Sequence, residues 1–311
     1  MTPNFDKIKE YINFFKMSII KIPVLLAGLL GLSLLRTGDL FLLNETKTEM
    51  EKNYGNVSAN TAITIIKKWS MPKELTEISG LSYKDEKQFA CVQDEVGKIF
   101  IYNTASSSVE KEISFAAAGD YEGLAVVDKT IWVLRADGKL FEVSNLDAAK
   151  PTVKEYSTPL TIKQDAEGLC YDKKNHRLLI AIKGAELGTE DYKGIYAFDI
   201  ASKKMDKQPV FKIDLLDKVF GNNGSGKKKK DPINPSDIVI HPLNGDMYII
   251  DGRNSKLLIT DVAGAIKKLY QLNSKEFAQP EGIAFNSAGD LFIANEGTNQ
   301  PGNILQVKID Q

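Results

Sequence analysis

Pro280-Glu281-Gly282-Ile283-Ala284 has four near-copies upstream: Ile78-Ser79-Gly80-Leu81-Ser82, Tyr121-Glu122-Gly123-Leu124-Ala125, Ala166-Glu167-Gly168-Leu169-Cys170 and Pro235-Ser236-Asp237-Ile238-Val239. Ser79 to Glu122 spans 43 residues, and Glu122 to Glu167 and Ser236 to Glu281 each span 45. Glu167 to Ser236 spans 69, one period plus an insertion. A period of roughly 40–45 residues is that of a four-stranded propeller blade. Each phrase opens an apolar strand, followed by a Gly/Asn/Asp turn and a second strand such as Leu291-Phe292-Ile293-Ala294. A polar corner and a third strand follow, as in Gly97-Lys98-Ile99-Phe100-Ile101-Tyr102, and a more polar fourth strand closes the unit, as in Val109 to Phe115. These β-branched and aromatic runs between turn residues are hairpin signals.

The fold class expected is therefore all-β, a propeller of five blades by repeat count. Six blades would need a degenerate unit within residues 203–233, which offer one strand and a lysine-rich loop. The last unit ends at Gln311 after its third strand, and Ile66-Lys67-Lys68-Trp69 matches the fourth strand Ile266-Lys267-Lys268-Leu269. An N-terminal strand is expected to close the last blade and remove an open sheet edge.

Before residue 60 the composition changes. Met17 to Leu35 is apolar apart from Lys21, long enough to span a bilayer if that lysine snorkels. Lys7, Lys9, Lys16 and Lys21 precede or open the run, so the positive-inside rule puts the N-terminus in the cytoplasm. The expected organisation is a cytoplasmic N-terminus at 1–16, a membrane anchor or signal-anchor at 17–43, a tether at 44–60 and the propeller at 61–311. The propeller would then lie outside the inner membrane, periplasmic or extracellular.

A net charge of -1 supplies no field to draw in nucleic acid, which removes that partner class. Cys91 and Cys170 fall in strands of different units and read as buried small hydrophobes. His176 and His241, the two histidines of the chain, lie in turns between first and second strands, at the end opposite the repeated phrases. A lactonase or esterase chemistry based on a channel-mouth histidine therefore has no base here. The run Lys227 to Lys230 reads as a solvated loop.

Aligning the phrases puts Ser79, Glu122, Glu167, Ser236 and Glu281 at one structural position, the start of the innermost strand. In a propeller these starts converge on one mouth of the central channel. Carboxylates there repel by about 4 kcal/mol per pair at 4 Å and an effective dielectric near 20. They need a proton, a cation or a cationic side chain. The corner after each second strand opens on the same face and offers Gln93, Asp94, Glu95, Arg135, Asp137, Lys183, Asp251, Arg253, Asn295 and Glu296. All-oxygen ligands of this kind suit Ca²⁺ or Mg²⁺, with Glu122, Glu167 and Glu281 as the metal candidates. Arg135, Lys183 and Arg253 offer the alternative, neutralisation from within.

Glu74-Leu75-Thr76-Glu77-Ile78-Ser79-Gly80-Leu81, Asp165-Ala166-Glu167-Gly168-Leu169, Asn234-Pro235-Ser236-Asp237-Ile238 and the Pro280 unit with Leu291-Phe292-Ile293-Ala294-Asn295-Glu296 resemble the SdiA-regulated, YjiK-type propeller proteins of bacteria. The likeness covers about residues 61–311, and the N-terminal anchor is similar to that family's. It implies a membrane-anchored propeller without an established activity. The Pro-Glu-Gly-Ile-Ala phrase also resembles gluconolactonase-like and phytase-like propellers, where an acid at this position can hold a divalent metal. Two functions follow as expectations: a module that binds a small molecule or protein at the glutamate face, with Ca²⁺ as its ion, or a metal-dependent hydrolase of a lactone or phosphoester.

Overall fold

The computed structural model describes residues 63–186, 191–221, 232–298 and 300–310. The expected span Met17 to Leu35, the tether and the lysine run lie outside the described residues. Among the described residues no helix is long and apolar enough to cross a membrane.

Strand β1 (Ile63–Ser70) comes first in the chain. Blade one holds β2 (Ile78–Asp85), β3 (Gln88–Gln93), β4 (Lys98–Asn103) and β5 (Ser108–Ser114). Blade two holds β6 (Tyr121–Val127), β7 (Thr130–Arg135), β8 (Leu140–Ser144) and β9 (Thr152–Tyr156). Blade three holds β10 (Ala166–Asp172), β11 (Arg177–Ile182) and β12 (Tyr192–Asp199), edged by β13 (Lys204–Met205) and β14 (Phe211–Asp214). Blade four holds β15 (Asp237–Ile240), β16 (Met247–Asp251), β17 (Lys256–Thr260) and β18 (Ile266–Gln271). Blade five holds β19 (Pro280–Phe285), β20 (Leu291–Asn295) and β21 (Asn303–Ile309), and β1 pairs antiparallel with β21, from Ile63 opposite Ile309 to Ser70 opposite Asn303.

The five-blade count holds. The innermost strands touch in a closed order, β2 to β6, β10, β15, β19 and back to β2. The insertion does not build a sixth blade. It splits the outer edge of blade three, because β13 and β14 both pair with β12 and are separated by residues 206–210, which include Pro209. Proline cannot donate to a ladder, so an outer edge is where the chain tolerates it. The insertion also forms a 3₁₀ turn over Lys218–Phe220, capped by the Asp217 side chain.

Each blade interface holds one apolar cluster. Leu81, Phe89 and Phe100 meet Phe292, Ile304 and Trp69 between blades one and five. Ile99 and Ile113 meet Val133 and Phe141 between blades one and two, and Trp132 meets Ile180 and Phe198 between two and three. Leu179 and Ile195 meet Ile249 and Leu258, and Ile250 and Tyr270 meet Ile293 and Leu305, across the remaining two seams. Strands sandwiched this way bury both faces, which is why the inner strands read as continuous apolar runs. Cys91 and Cys170 are free and buried within two of these clusters.

Candidate functional site

The repeated phrase has a structural cause. In four blades the ladder slips at the acidic or serine position: Ser79, Glu122, Glu167 and Glu281 are each skipped in the pairing with the second strand. A bulge leaves its extra residue unpaired and re-aims the side chain, here at the start of the strand lining the channel. The following glycine meets the next blade. A Cβ on Gly123 would lie 2.5 Å from the Glu167 carbonyl oxygen, and one on Gly282 would lie 2.8 Å from Leu81 Cβ.

Blade four departs from this rule, with Asp237 where the others have glycine. Its Oδ1 accepts from Leu169 N (3.3 Å) and Ile238 N (2.8 Å), and its Oδ2 accepts from Ile283 N (2.9 Å). One buried carboxylate thereby ties the inner strands of blades three, four and five. Burial pushes its pKa well up, against the pull of those three donors. The departure from glycine is readable in the sequence.

Lys183 follows β11 and is the base that meets the acids. Its Nζ donates to Glu167 Oε1 at 3.0 Å, and that glutamate is 4 % exposed. Burial works against the ammonium, yet Glu167, Glu281 and Glu122 together hold its pKa above the ordinary lysine value. Burial and the neighbouring Glu167 and Asp120 push Glu122 up to about 10. Burial pushes Glu167 up to about 8, with Lys183 opposing. Glu281 is also raised by burial, with Lys183 and a hydrogen bond to Ser236 opposing. Its carboxylate lies against Gly252, where a Cβ would come within 2.3 Å of Oε1. Desolvation thus favours the neutral form of the carboxyls, and Lys183 opposes it most directly at Glu167.

Lys193, which the sequence reading missed, holds the corner. It is buried, and its Nζ donates to the backbone carbonyls of Lys183, at 2.6 Å, and of Gly184. It comes from β12, so no spacing within the repeated phrase points to it.

The remaining candidates divide. Ser79 Oγ donates to the Tyr121 carbonyl at 2.6 Å, and Ser236 Oγ accepts from Gly252 N at 3.0 Å, so both serines stitch backbone. Gln93 Oε1 accepts from Glu95 N and Val96 N, and Asp251 accepts from Asn234 N, Asn254 N and Asn254 Nδ2, so both shape corners. Arg135 does not neutralise the ring, because its guanidinium forms a two-pronged pair with Asp137 at 3.0 and 2.7 Å. Arg253 is exposed and does not serve that role either. Asn295 continues the face of β20 that Leu291 and Ile293 turn toward blade four, and its Nδ2 donates to Asn303 Oδ1 at 3.0 Å, whereas Asp94 and Glu296 follow the second strands of blades one and five.

The acids were expected to suit a divalent ion. Among the described residues, no group of three or more His, Cys, Asp or Glu side chains is arranged to hold one. Lys183 instead supplies the positive charge at Glu167, so the residues do not fit a metal cage in this arrangement. Two clefts among the described residues lie elsewhere. One of about 850 Å³ runs between blades one and two past Lys111 and Asp147, and one of about 660 Å³ runs between blades four and five past His241 and Tyr248. Neither gathers displaced titratable groups as the mouth does, and displaced groups are the better pointer to a site.

No curated protein matches the chain. Solved structures do, among them Myxococcus xanthus glutaminyl cyclase, at 19 % identity and a TM-score of 0.54, over 80 % of this chain and 96 % of that one. The PQQ-bound aldose sugar dehydrogenase of Streptomyces coelicolor matches at 10 % identity and 0.49, over 81 % and 100 %, and a streptogramin B lyase at 14 % and 0.47, over 80 % and 100 %. Of these three, the cyclase alone superposes well enough to speak to the fold, and at that identity it speaks to nothing further. The description SdiA-regulated belongs to the family model that matches residues 57–300, most of the 311-residue chain and nearly all of its propeller. The chain belongs to the SdiA-regulated family.

Proposed function

We propose that this protein is a binding module that captures a cationic ligand, small molecule or protein side chain, at the acidic mouth of its propeller. The observation that carries this reading is the convergence of Glu122, Glu167 and Glu281 on Lys183, with the two most displaced carboxyls held up at about 10 and about 8. Such a mouth carries protons at neutral pH and releases them to an arriving positive charge. The proposal extends to the rest of the chain. Strand β1 latches the ring, and Met17 to Leu35 anchors the protein in the inner membrane with the propeller outside. An alkaline phosphatase fused after residue 60 is then expected to be active and to sediment with membranes, and an inactive or soluble fusion contradicts the anchor.

Melting of the full-length protein tests the mouth. Groups whose folded pKa lies above the unfolded value contribute stability that is complete at low pH and lost as pH rises through the folded value. Glu122 and Glu167 start from an ordinary value of 4.5 and are raised to about 10 and about 8, so stability is expected to fall between about pH 5 and about pH 10. Millimolar putrescine is expected to suppress that fall, and Glu122→Gln to flatten it, gaining about 4 °C at pH 9 and nothing at pH 5. A melting temperature that ignores both pH and putrescine sinks the proposal. Ca²⁺ is the competing occupant. A rise with Ca²⁺ alone, abolished by Glu167→Gln, assigns the mouth to a divalent ion and favours the alternative of a metal-dependent hydrolase of a lactone or phosphoester.

A further inference from the structure

The acidic mouth occupies one end of the blades, and the turns at the other end differ from blade to blade. Those joining first and second strands carry Glu86-Lys87 in blade one, Asp128-Lys129 in blade two and Lys173-Lys174 in blade three. Blade four instead carries His241-Pro242-Leu243-Asn244-Gly245, and its second turn at that end, between β17 and β18, carries Asp261-Val262-Ala263-Gly264. Leu243 is 72 % exposed and Val262 61 %. A lone apolar residue on a surface is ordinary, whereas a contiguous group is not. These two are contiguous. A Cβ on Gly245 would lie 3.0 Å from Val262 Cγ1, and one on Gly289, in the turn of blade five, would lie 3.3 Å from Leu243 Cδ1. Val262 therefore leans on the turn that carries Leu243, and Leu243 reaches across to blade five, where Ala288 is exposed beside Gly289. Both turns of blade four hold their own backbone. His241 Nδ1 accepts from Leu243 N at 3.2 Å, and Asp261 Oδ1 accepts from Ala263 N and Ala265 N at 2.8 and 2.9 Å. The polar side chains bind inward, which leaves the apolar ones at the tips.

The chain enters the propeller at this same end. Ile63 opens β1 opposite Ile309, and Val307 of that strand lies opposite Leu291, at the foot of the turn that holds Ala288. The cleft of blades four and five runs beside the ridge. Its lysines, Lys267, Lys268 and Lys308, outnumber its acids, Asp246 and Asp290, and Asp246 is already paired with Lys267 at 2.6 Å. Residues 36–62 join Ile63 to the proposed anchor, roughly 90 Å of chain at full stretch, which keeps the domain within reach of the bilayer at a high effective concentration. The opposite end presents the acidic mouth, which anionic headgroups repel.

We infer that the ridge of Val262, Leu243 and Ala288 rests on the phospholipid surface, with the acidic mouth turned away from it. This rests on the reading of Met17 to Leu35 as an inner-membrane anchor. Apolar tips with lysines behind them insert shallowly at the interface and do not span. The mouth then draws its ligand from the aqueous side.

Full-length protein in vesicles of phosphatidylethanolamine and phosphatidylglycerol, labelled with a fluorophore at one introduced cysteine, tests the orientation. Cys91 and Cys170 are buried, so the introduced thiol is the one that takes the label. A label at Ala288→Cys is expected to be quenched roughly twofold or more by a lipid with a nitroxide at a shallow acyl carbon, because interfacial side chains lie about 5–10 Å deep. A label at Ile162→Cys, 61 % exposed in the link from β9 to β10 at the mouth end, is expected to stay bright. Leu243→Asp combined with Val262→Asp, both at exposed turn tips, is expected to restore the Ala288→Cys emission while the protein still floats with the vesicles. Quenching that survives these two substitutions, or that appears at Ile162→Cys instead, overturns the inference. Flotation without quenching at either position overturns the resting face and leaves the anchor standing. Protein that fails to float overturns both. Cross-linking of Ala288→Cys between copies in place of quenching assigns the ridge to a second copy and overturns the lipid contact.

Discussion

Asp237→Ala is expected to destabilise the propeller by roughly 3–5 kcal/mol in urea unfolding. The substitution leaves three buried backbone donors, Leu169 N, Ile238 N and Ile283 N, without their shared acceptor. Those donors belong to three blades, so the loss is distributed across two seams. Asp237→Asn keeps one acceptor oxygen but turns an NH₂ toward donors, and its cost is expected to fall between alanine and the wild type. Asp237→Gly copies the other four blades and separates two explanations. If glycine restores full stability, the position needs only a missing Cβ and the carboxylate is idle. If glycine costs as much as alanine, the carboxylate is the tie.

Truncation of residues 1–70 is expected to abolish cooperative folding, whereas truncation of 1–55 leaves a folded domain. Without β1, the full length of β21 becomes an open edge and Trp69 is removed from the cluster between blades five and one. Trp69 packs on Phe292 at a ring separation of 6.1 Å and donates from Nε1 to the Thr104 carbonyl of blade one at 2.8 Å. Loss of a buried tryptophan alone costs about 3–5 kcal/mol, a large part of the roughly 5–15 kcal/mol that holds an ordinary domain together. Identical melting of the two truncations would rule out β1 as a latch.

The architecture was legible because the glycine after each bulge is forced by the neighbouring blade, and a forced residue recurs at the blade period. The acids at the bulges were legible for the same reason. Which base answers them was not. Arg135, Lys183 and Arg253 occupy equivalent corners, and their fates depend on local chemistry that a repeat does not carry. Arg135 is captured by Asp137 two residues on, and Arg253 turns to solvent. Lys183 reaches the channel because Lys193, from the next strand, grips the carbonyls beneath it. Blade three's broken edge was half visible, since Pro209 marks where no ladder bond can form, but the spacing of the insertion did not say that both halves return to one strand.

The pairing of Ile63 with Ile309 puts the first and last strands of the propeller side by side on a single ladder. A domain whose first and last strands pair in this way is a cassette. It can be set into a surface loop of a host protein with short connectors, because the host needs to bridge only the spacing between neighbouring strands, about 4.8 Å. Both connectors leave from the end of β21 remote from the Asn295–Asn303 corner, so the acidic mouth stays open to titrant. Built into a fluorescent reporter, the domain would turn occupancy of that mouth into an optical signal.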